Sequence, residues 1–269
     1  MSEVIVNGIL LHYLDEGRGD PIVFLHGLGS CGEDWVLQTQ PFAAEFRVIA
    51  PDLRGHGRSS KPAAPYTVAL FASDVAALLD ALSIDSAHVV GLSLGGLVAQ
   101  QLAIGFPRRV RRLVLTSTFA HLLSGSVIEL AQVLRRGLIS LLLPLERNAQ
   151  HVARGLFPHP HQAELRRLTV RRLIENDPAA YRASIAAIRR FDSRRELSRI
   201  ASPTLVVTGE RDGTVARARQ RELANGIRGA RWEMIRNSGH ATPIDQPDVY
   251  NALLRAFLRD GRAAQGNCI

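Results

Sequence analysis

A chain of 269 residues, 46% apolar and 22% charged, can bury the core of one large α/β domain, which excludes a disordered or fibrous protein. No apolar run approaches the ~20 residues that span a bilayer, and Met1-Ser2-Glu3-Val4 lacks the basic-then-apolar start of a secretory signal. The net charge of +8 comes from 32 arginines and one lysine, Lys61. It sits in short pairs such as Arg108-Arg109 and Arg189-Arg190 without interleaved aromatics, which argues against nucleic-acid binding and for a local field attracting acidic substrates.

Val4-Ile5-Val6 and Ile9-Leu10-Leu11-His12-Tyr13 flank Asn7-Gly8, the pair suited to a two-residue type I′ turn, and so predict a hairpin. Pro21-Ile22-Val23-Phe24-Leu25 is apolar without alternation, as a strand buried on both faces must be. His26-Gly27-Leu28-Gly29-Ser30 follows, a glycine loop whose Leu28 amide can donate to an oxyanion; His26 reads as a structural hydrogen-bonding residue. After the strand Phe46–Ala50, the loop Pro51–Ser60 carries Asp52, Arg54 and His56. A self-satisfied polar network fits these better than a catalytic cluster. Cys31 in this half and Cys268 near the end match no disulfide or metal framework, so both thiols are expected free in a reducing cytoplasm. Tyr66–Leu82 predicts an amphipathic helix, with Val68, Phe71, Val75, Leu78, Leu79 and Leu82 at helical spacing.

Val89-Val90-Gly91-Leu92-Ser93-Leu94-Gly95-Gly96 runs from a strand through Gly-x-Ser-x-Gly into a helix, the pattern of a nucleophile elbow. Such a turn lifts one serine hydroxyl clear of the sheet. The helix behind it offers free amides, that of Leu94 among them, to an oxyanion. Arg112–Thr116 is the sixth strand. From Phe119 to Ser198 the strand–helix alternation gives way to helices alone (127–143, 149–157, 162–175, 178–190), with a surplus of six positive charges over 121–198. His159 and His161 lie here; an exposed loop suits them better than a metal pair. The core resumes with strand Pro203–Gly209, helix 215–227, strand Arg231–Ile235 and helix Asp248–Leu258. This pattern predicts an eight-stranded, mostly parallel sheet flanked by helices. Residues 1–118 and 199–260 form the core, 119–198 an all-helical lid inserted after the sixth strand, and 261–269 a frayed tail.

Parallel strands end on one side, so residues just beyond those ends converge. Ser93, Asp212 and His240 lie there, in the order nucleophile, acid, base expected for an elbow serine. Ser93 needs a base to take its proton; His240 follows the last strand and fits that role, with Asp212 holding its tautomer. Glu210 is the near rival for the acid.

The whole set, His26-Gly27-Leu28-Gly29, Asp52 to Ser59, Gly91 to Gly96, Gly209-Glu210-Arg211-Asp212 and Gly239-His240, resembles the α/β-hydrolase superfamily from Ile22 to Leu258. Within it the lid helix Tyr181–Asp192 and the strand Pro203–Val207 are most similar to 3-oxoadipate enol-lactonases and related small esterases. Where many relatives carry proline a few residues beyond the acid, this chain has Thr214-Val215-Ala216. The resemblance implies a cofactor-free serine hydrolase acting on a small ester or lactone, with an anionic substrate suggested by the arginine-rich lid. Carbon–carbon bond hydrolysis and perhydrolysis use the same three residues, and a ligand receptor with a vestigial triad is a reading of another class. A serine at the elbow argues against the dehalogenase and epoxide-hydrolase chemistries, which use aspartate there.

Overall fold

The computed structural model describes residues 2–63, 65–122 and 145–259. The strands are β1 (Ser2–Val6), β2 (Ile9–Gly17), β3 (Asp20–Leu25), β4 (Phe46–Pro51), β5 (Ala87–Leu92), β6 (Val110–Thr116), β7 (Thr204–Gly209) and β8 (Arg231–Ile235). They form one sheet in the order β1-β2-β4-β3-β5-β6-β7-β8. β2 runs antiparallel to both β1 and β4, and every pairing from β4 to β8 is parallel. Asn7 and Gly8 both take positive φ, 48° and 74°, as the predicted type I′ hairpin demands.

Helices α1 (Val36–Phe42), α2 (Val68–Ala81) and α3 (Leu94–Gly105) belong to the first half of the chain. Between β6 and β7 lie α4 (Leu145–Leu156), α5 (Ala163–Ile174) and α6 (Pro178–Arg190). Then come α7 (Arg217–Gly226), the single turn α8 (Thr242–Asp245) and α9 (Pro247–Arg259). The central strands carry unbroken apolar stretches, such as Ile22–Leu25, Leu113–Leu115 and Leu205–Val207, because helices cover both faces. On one face Phe42 of α1 and Tyr250, Leu254 and Phe257 of α9 pack on Phe24, Val90, Val114 and Leu205. On the other, Phe71 and Val75 of α2, Leu97 and Leu102 of α3 and Leu223 of α7 pack on Val23, Val89, Leu113 and Val206.

The chain builds β4 on one side of β3, then crosses to build β5 on the other. This reversal opens a crevice beyond the carboxyl ends of β3 and β5. His26–Ser30 and Ser93 follow those two ends directly.

Helix α1 is absent from the sequence expectation. Val36-Leu37-Gln38-Thr39-Gln40-Pro41-Phe42 is short, lacks an apolar stripe and carries Pro41 inside it. Tertiary contacts make it: Phe42 is fully buried against Phe24 and Phe46. Helix α2 starts at Val68 rather than Tyr66, because the Thr67 side chain accepts from the Leu70 amide and caps it. The helix expected over 127–143 and the tail 261–269 lie outside the described residues. Among the described residues no helix is long and apolar enough to cross a membrane. Cys31 is free and buried, and burial pushes its thiol up to about 12, which leaves it unreactive; Cys268 lies outside the described residues.

Candidate active site

β5 ends at Leu92 and α3 begins at Leu94, so Ser93 alone makes the turn, at φ 54° and ψ −113°. A non-glycine residue holds such a backbone only where its surroundings over-determine it. Ser93 N donates to the Thr116 carbonyl (3.0 Å), and Thr118 Oγ1 donates to the Ser93 carbonyl (2.9 Å). A side chain on Gly91 would strike the Gly95 carbonyl, and one on Gly95 would strike the carbonyl of Leu25 in β3. Strand and helix can therefore meet this closely only with glycine at both places. The Leu94 side chain is buried in the core. Its amide, in the first turn of α3, has no carbonyl of its own helix to bond.

The loop after β3 folds into a tight turn over Gly27–Ser30, closed by Ser30 N donating to the Gly27 carbonyl at 3.3 Å, with Gly29 at φ +75°. Positive φ at the third residue is the mark of a type II turn. A Cβ on Gly27 would stand 3.6 Å from Ser93 Cβ, so this turn faces the serine. His26 Nε2 accepts from the Leu53 amide at 2.9 Å, which places the ring proton on Nδ1, donating to the Gly27 carbonyl at 2.8 Å. That carbonyl belongs to the same peptide unit as the Leu28 amide. Burial pushes the His26 ring down, and His56, whose ring lies 5.1 Å away, is pushed to about 3 by burial and by His26. Both rings are neutral supports.

Asp52 accepts from Gly32 N (2.7 Å), Arg58 N (2.8 Å) and His12 Nδ1 (3.0 Å), while Arg54 makes two bonds to Asp74 (2.7 and 2.8 Å). The 51–60 loop is thus tied by a polar network that engages both Asp52 and Arg54, although the Nε2 of His56 is buried without a hydrogen-bond partner among the described residues. Asp52, Arg54 and His56 do not line the cavity that holds Ser93.

Asp212 stands in the loop after β7. Its Oδ1 accepts from Thr214 N (2.8 Å) and Val215 N (2.9 Å), and its Oδ2 from Gln220 Nε2 (3.0 Å). His240 Nδ1 lies 3.0 Å from both carboxylate oxygens, with both side chains buried. Burial pushes the Asp212 carboxyl up, yet the electrostatic interaction with His240 and the hydrogen bonds from His240, Val215 and Thr214 outweigh it and hold the group below its ordinary value. Glu210, the rival acid, instead accepts from Asn237 N at 2.9 Å. Asp245 of α8 steadies the loop that carries His240, accepting from Gly239 N (2.6 Å) and Ser238 Oγ (2.8 Å). Thr118, Gln220 and Asp245 escaped the sequence reading. Each acts through a backbone atom or a partner that no motif spacing marks.

Ser93, His240 and Leu28 line one cavity of about 740 Å³. Its remaining wall is largely hydrocarbon, from Leu92 and Phe119 of the core and Leu156, Phe157, Leu165 and Leu168 of the helical insertion. Among the described residues the lid arginines that line this cavity are Arg171 and Arg172, and both are paired with carboxylates. Arg172 lies 3.3 Å from Asp34, 3.7 Å from Glu33 and 3.6 Å from Glu175, and Arg171 lies 3.3 Å from Glu175. All five line the same cavity, so two cations meet three carboxylates. His159 stacks on His161 at 5.4 Å, and its Nε2 donates to the Asn237 carbonyl (2.7 Å), which ties the insertion to the loop before His240. Among the described residues no group of three or more His, Cys, Asp or Glu side chains could hold a metal.

Comparison with known proteins agrees with this geometry. Residues 20–247 match the family described as the alpha/beta hydrolase fold. The chain is 30% identical over 256 residues to 3-oxoadipate enol-lactonase 2 of Acinetobacter baylyi, covering 93% of this chain and 94% of that one. The crystal structure of the enol-lactonase from Burkholderia xenovorans LB400 superposes with a TM-score of 0.88 at 30% identity, over 96% of this chain and all of that one (100%). Est816, an N-acyl homoserine lactone degrading enzyme, superposes with a TM-score of 0.86 at 33% identity, over 95% of this chain and 100% of that one. By sequence match, sheet order and elbow alike, this chain belongs to the α/β-hydrolase family.

Proposed function

We propose that this chain is a serine hydrolase that opens a small, mainly apolar carboxylic ester or lactone through an acyl-enzyme. One observation carries the reading: His240 is pinned by Nδ1 to a charged Asp212 and shares a cavity with the strained Ser93. With its proton on Nδ1, the ring keeps Nε2 as its basic position. Ser93 Oγ attacks the carbonyl carbon while His240 Nε2 takes its proton, and the carbonyl oxygen becomes an oxyanion facing the Leu28 and Leu94 amides. Collapse breaks the ester bond, and His240 returns the proton to the leaving alkoxide. Water, deprotonated by the same nitrogen, then releases the acid and regenerates Ser93. No cofactor enters this sequence. Residues 119–198 act as a lid over the cavity, on a core of 1–118 and 199–260.

The hydrocarbon wall favours a neutral acyl part over an anionic one, because Arg171 and Arg172 are already paired. Relatives named for lactone opening agree with a cyclic or linear ester. A series of p-nitrophenyl esters tests both halves of the proposal. In wild type kcat/KM should rise with acyl length, by up to about fourfold per methylene from a burial gain near 0.8 kcal/mol, while Ser93→Ala loses turnover throughout. A carboxylate-bearing ester that outruns its neutral isostere would overturn the substrate assignment. Unchanged turnover in Ser93→Ala would overturn the reaction.

A further inference from the structure

The Gly27–Ser30 turn is held from two sides. From the core, His26 fixes the Gly27 carbonyl. From the helical insertion comes Asn176, two residues beyond the end of α5. Its Nδ2 donates to the Gly29 carbonyl at 2.9 Å, and also to the carbonyls of Arg172 (2.9 Å) and Leu173 (3.3 Å). Those last two belong to the final turn of α5, where carbonyls lack partners within the helix; the Leu173 carbonyl also accepts from the Asn176 backbone N at 3.4 Å. Three carbonyl oxygens around one nitrogen fix which end of the amide points there, since only the NH2 group donates.

The seat is close. A Cβ on Gly29 would lie 2.7 Å from Leu173 Cδ2 and 3.0 Å from Tyr181 Cε2, both in the insertion. A second tie runs beside it, where Arg172 reaches Asp34 at 3.3 Å and Asp34 accepts from Ser30 Oγ at 2.6 Å.

We propose that Asn176 is a positioning residue for the hydrolysis, seating the turn so that the Leu28 amide points where the oxyanion develops. The inference rests on the serine-hydrolase reading above. Gly29 is the residue of the turn at positive φ, and Asn176 supplies a side-chain donor to its carbonyl. Without that donor the Gly29–Ser30 peptide is held only by Ser30 N on the Gly27 carbonyl, and a tilt of it pulls, through that bond, on the Gly27–Leu28 unit that carries the Leu28 amide. An oxyanion donor works only at hydrogen-bond distance from the charge that forms, so a small shift is costly. The insertion thus helps complete the site as well as roof it, and turnover requires it seated on the turn.

The test compares wild type with Asn176→Leu, which keeps bulk and removes the donor, and Asn176→Asp, which faces the three carbonyls with further acceptors. Each binds two probes of the same length, a trifluoromethyl ketone and the ether lacking its carbonyl. Ser93 Oγ adds to the ketone carbon, its proton passes to His240, and the oxygen takes the negative charge. The ether forms no oxyanion. Expected is a fall in kcat of about tenfold or more, with KM within about threefold, and a matching loss of affinity for the ketone but not the ether. Asp177→Ala serves as control: it removes the cap of α6, where Asp177 Oδ1 accepts from the amides of Ala179 and Ala180. It should lower the melting temperature and leave the ketone-to-ether ratio alone.

A ratio within about twofold of wild type in folded Asn176 variants would overturn the inference. So would an equal fall of the ratio in Asp177→Ala, or loss of folded protein in both Asn176 variants, since a positioning role predicts folded enzymes. A wild-type protein that binds the ketone no better than Ser93→Ala does would sink the hydrolase reading itself. Ser93-dependent binding of the ketone that ignores Asn176 would sink only this inference.

Discussion

Asp212 shows how opposing effects at one carboxylate set the charge of a buried group. Burial pushes its pKa up, toward the neutral acid, which could not stabilise an imidazolium. The interaction with His240 and the amides of Val215 and Thr214 reverse that, so the carboxyl stays charged while buried. Asp212→Asn keeps the shape and removes the charge, and kcat for a p-nitrophenyl ester should fall by about 10⁴-fold. A pH dependence follows from the same shift. Because the folded value is depressed, the stabilisation is complete above the ordinary carboxylate value of about 3.9 and is lost as pH falls through the lower, folded one. Urea titrations of wild type and Asp212→Asn should therefore differ most near neutrality and converge toward acid. A gap that widens on acidification would contradict the assignment.

At the scale of elements, the 51–60 loop, α2 and the first hairpin are joined through one buried ion pair. Arg54 and Asp74 are 7% and 0% exposed, and Asn7 Nδ2 adds a third contact to Asp74 at 3.0 Å. Arg54→Ala strands a charge in the interior and should cost about 3–5 kcal/mol, read as a lower urea midpoint. Replacing both partners, as in Arg54→Met with Asp74→Leu, should cost much less, because no charge is left unpaired. Equal losses in the single and double variants would show that packing, not charge, holds these elements together. None of this pair touches the Ser93 cavity, so the kcat of the folded fraction should stay near that of wild type.

Across the whole molecule, the legible features are those whose cause is local. Ile22–Leu25 and Leu205–Val207 read as buried strands because they are apolar at consecutive positions, and Ser93 reads as a nucleophile because its glycines stand beside it. Asp212 and His240 could be placed because parallel strands end on one side of the sheet. What escaped is long-range. The pairing of Arg172 with Asp34, 138 residues earlier in the chain, shows in no local pattern, and it sets a paired rim beside the apolar wall of the cavity. Asn176 reads as the end of a helix, and its bond to Gly29 spans 147 residues. Helix α1 has no periodicity to show; Phe42 is drawn in by aromatic neighbours from two other strands.

The central claim is that Ser93 is the group that takes up the acyl part. It is tested most directly by incubating the protein with a fluorophosphonate, digesting it and locating the adduct by mass spectrometry. The account predicts one adduct, on Ser93, formed in step with the loss of esterase turnover and absent from His240→Ala on the same timescale. An enzyme that keeps its turnover with Ser93 fully labelled, or loses it with Ser93 unlabelled, would contradict the account.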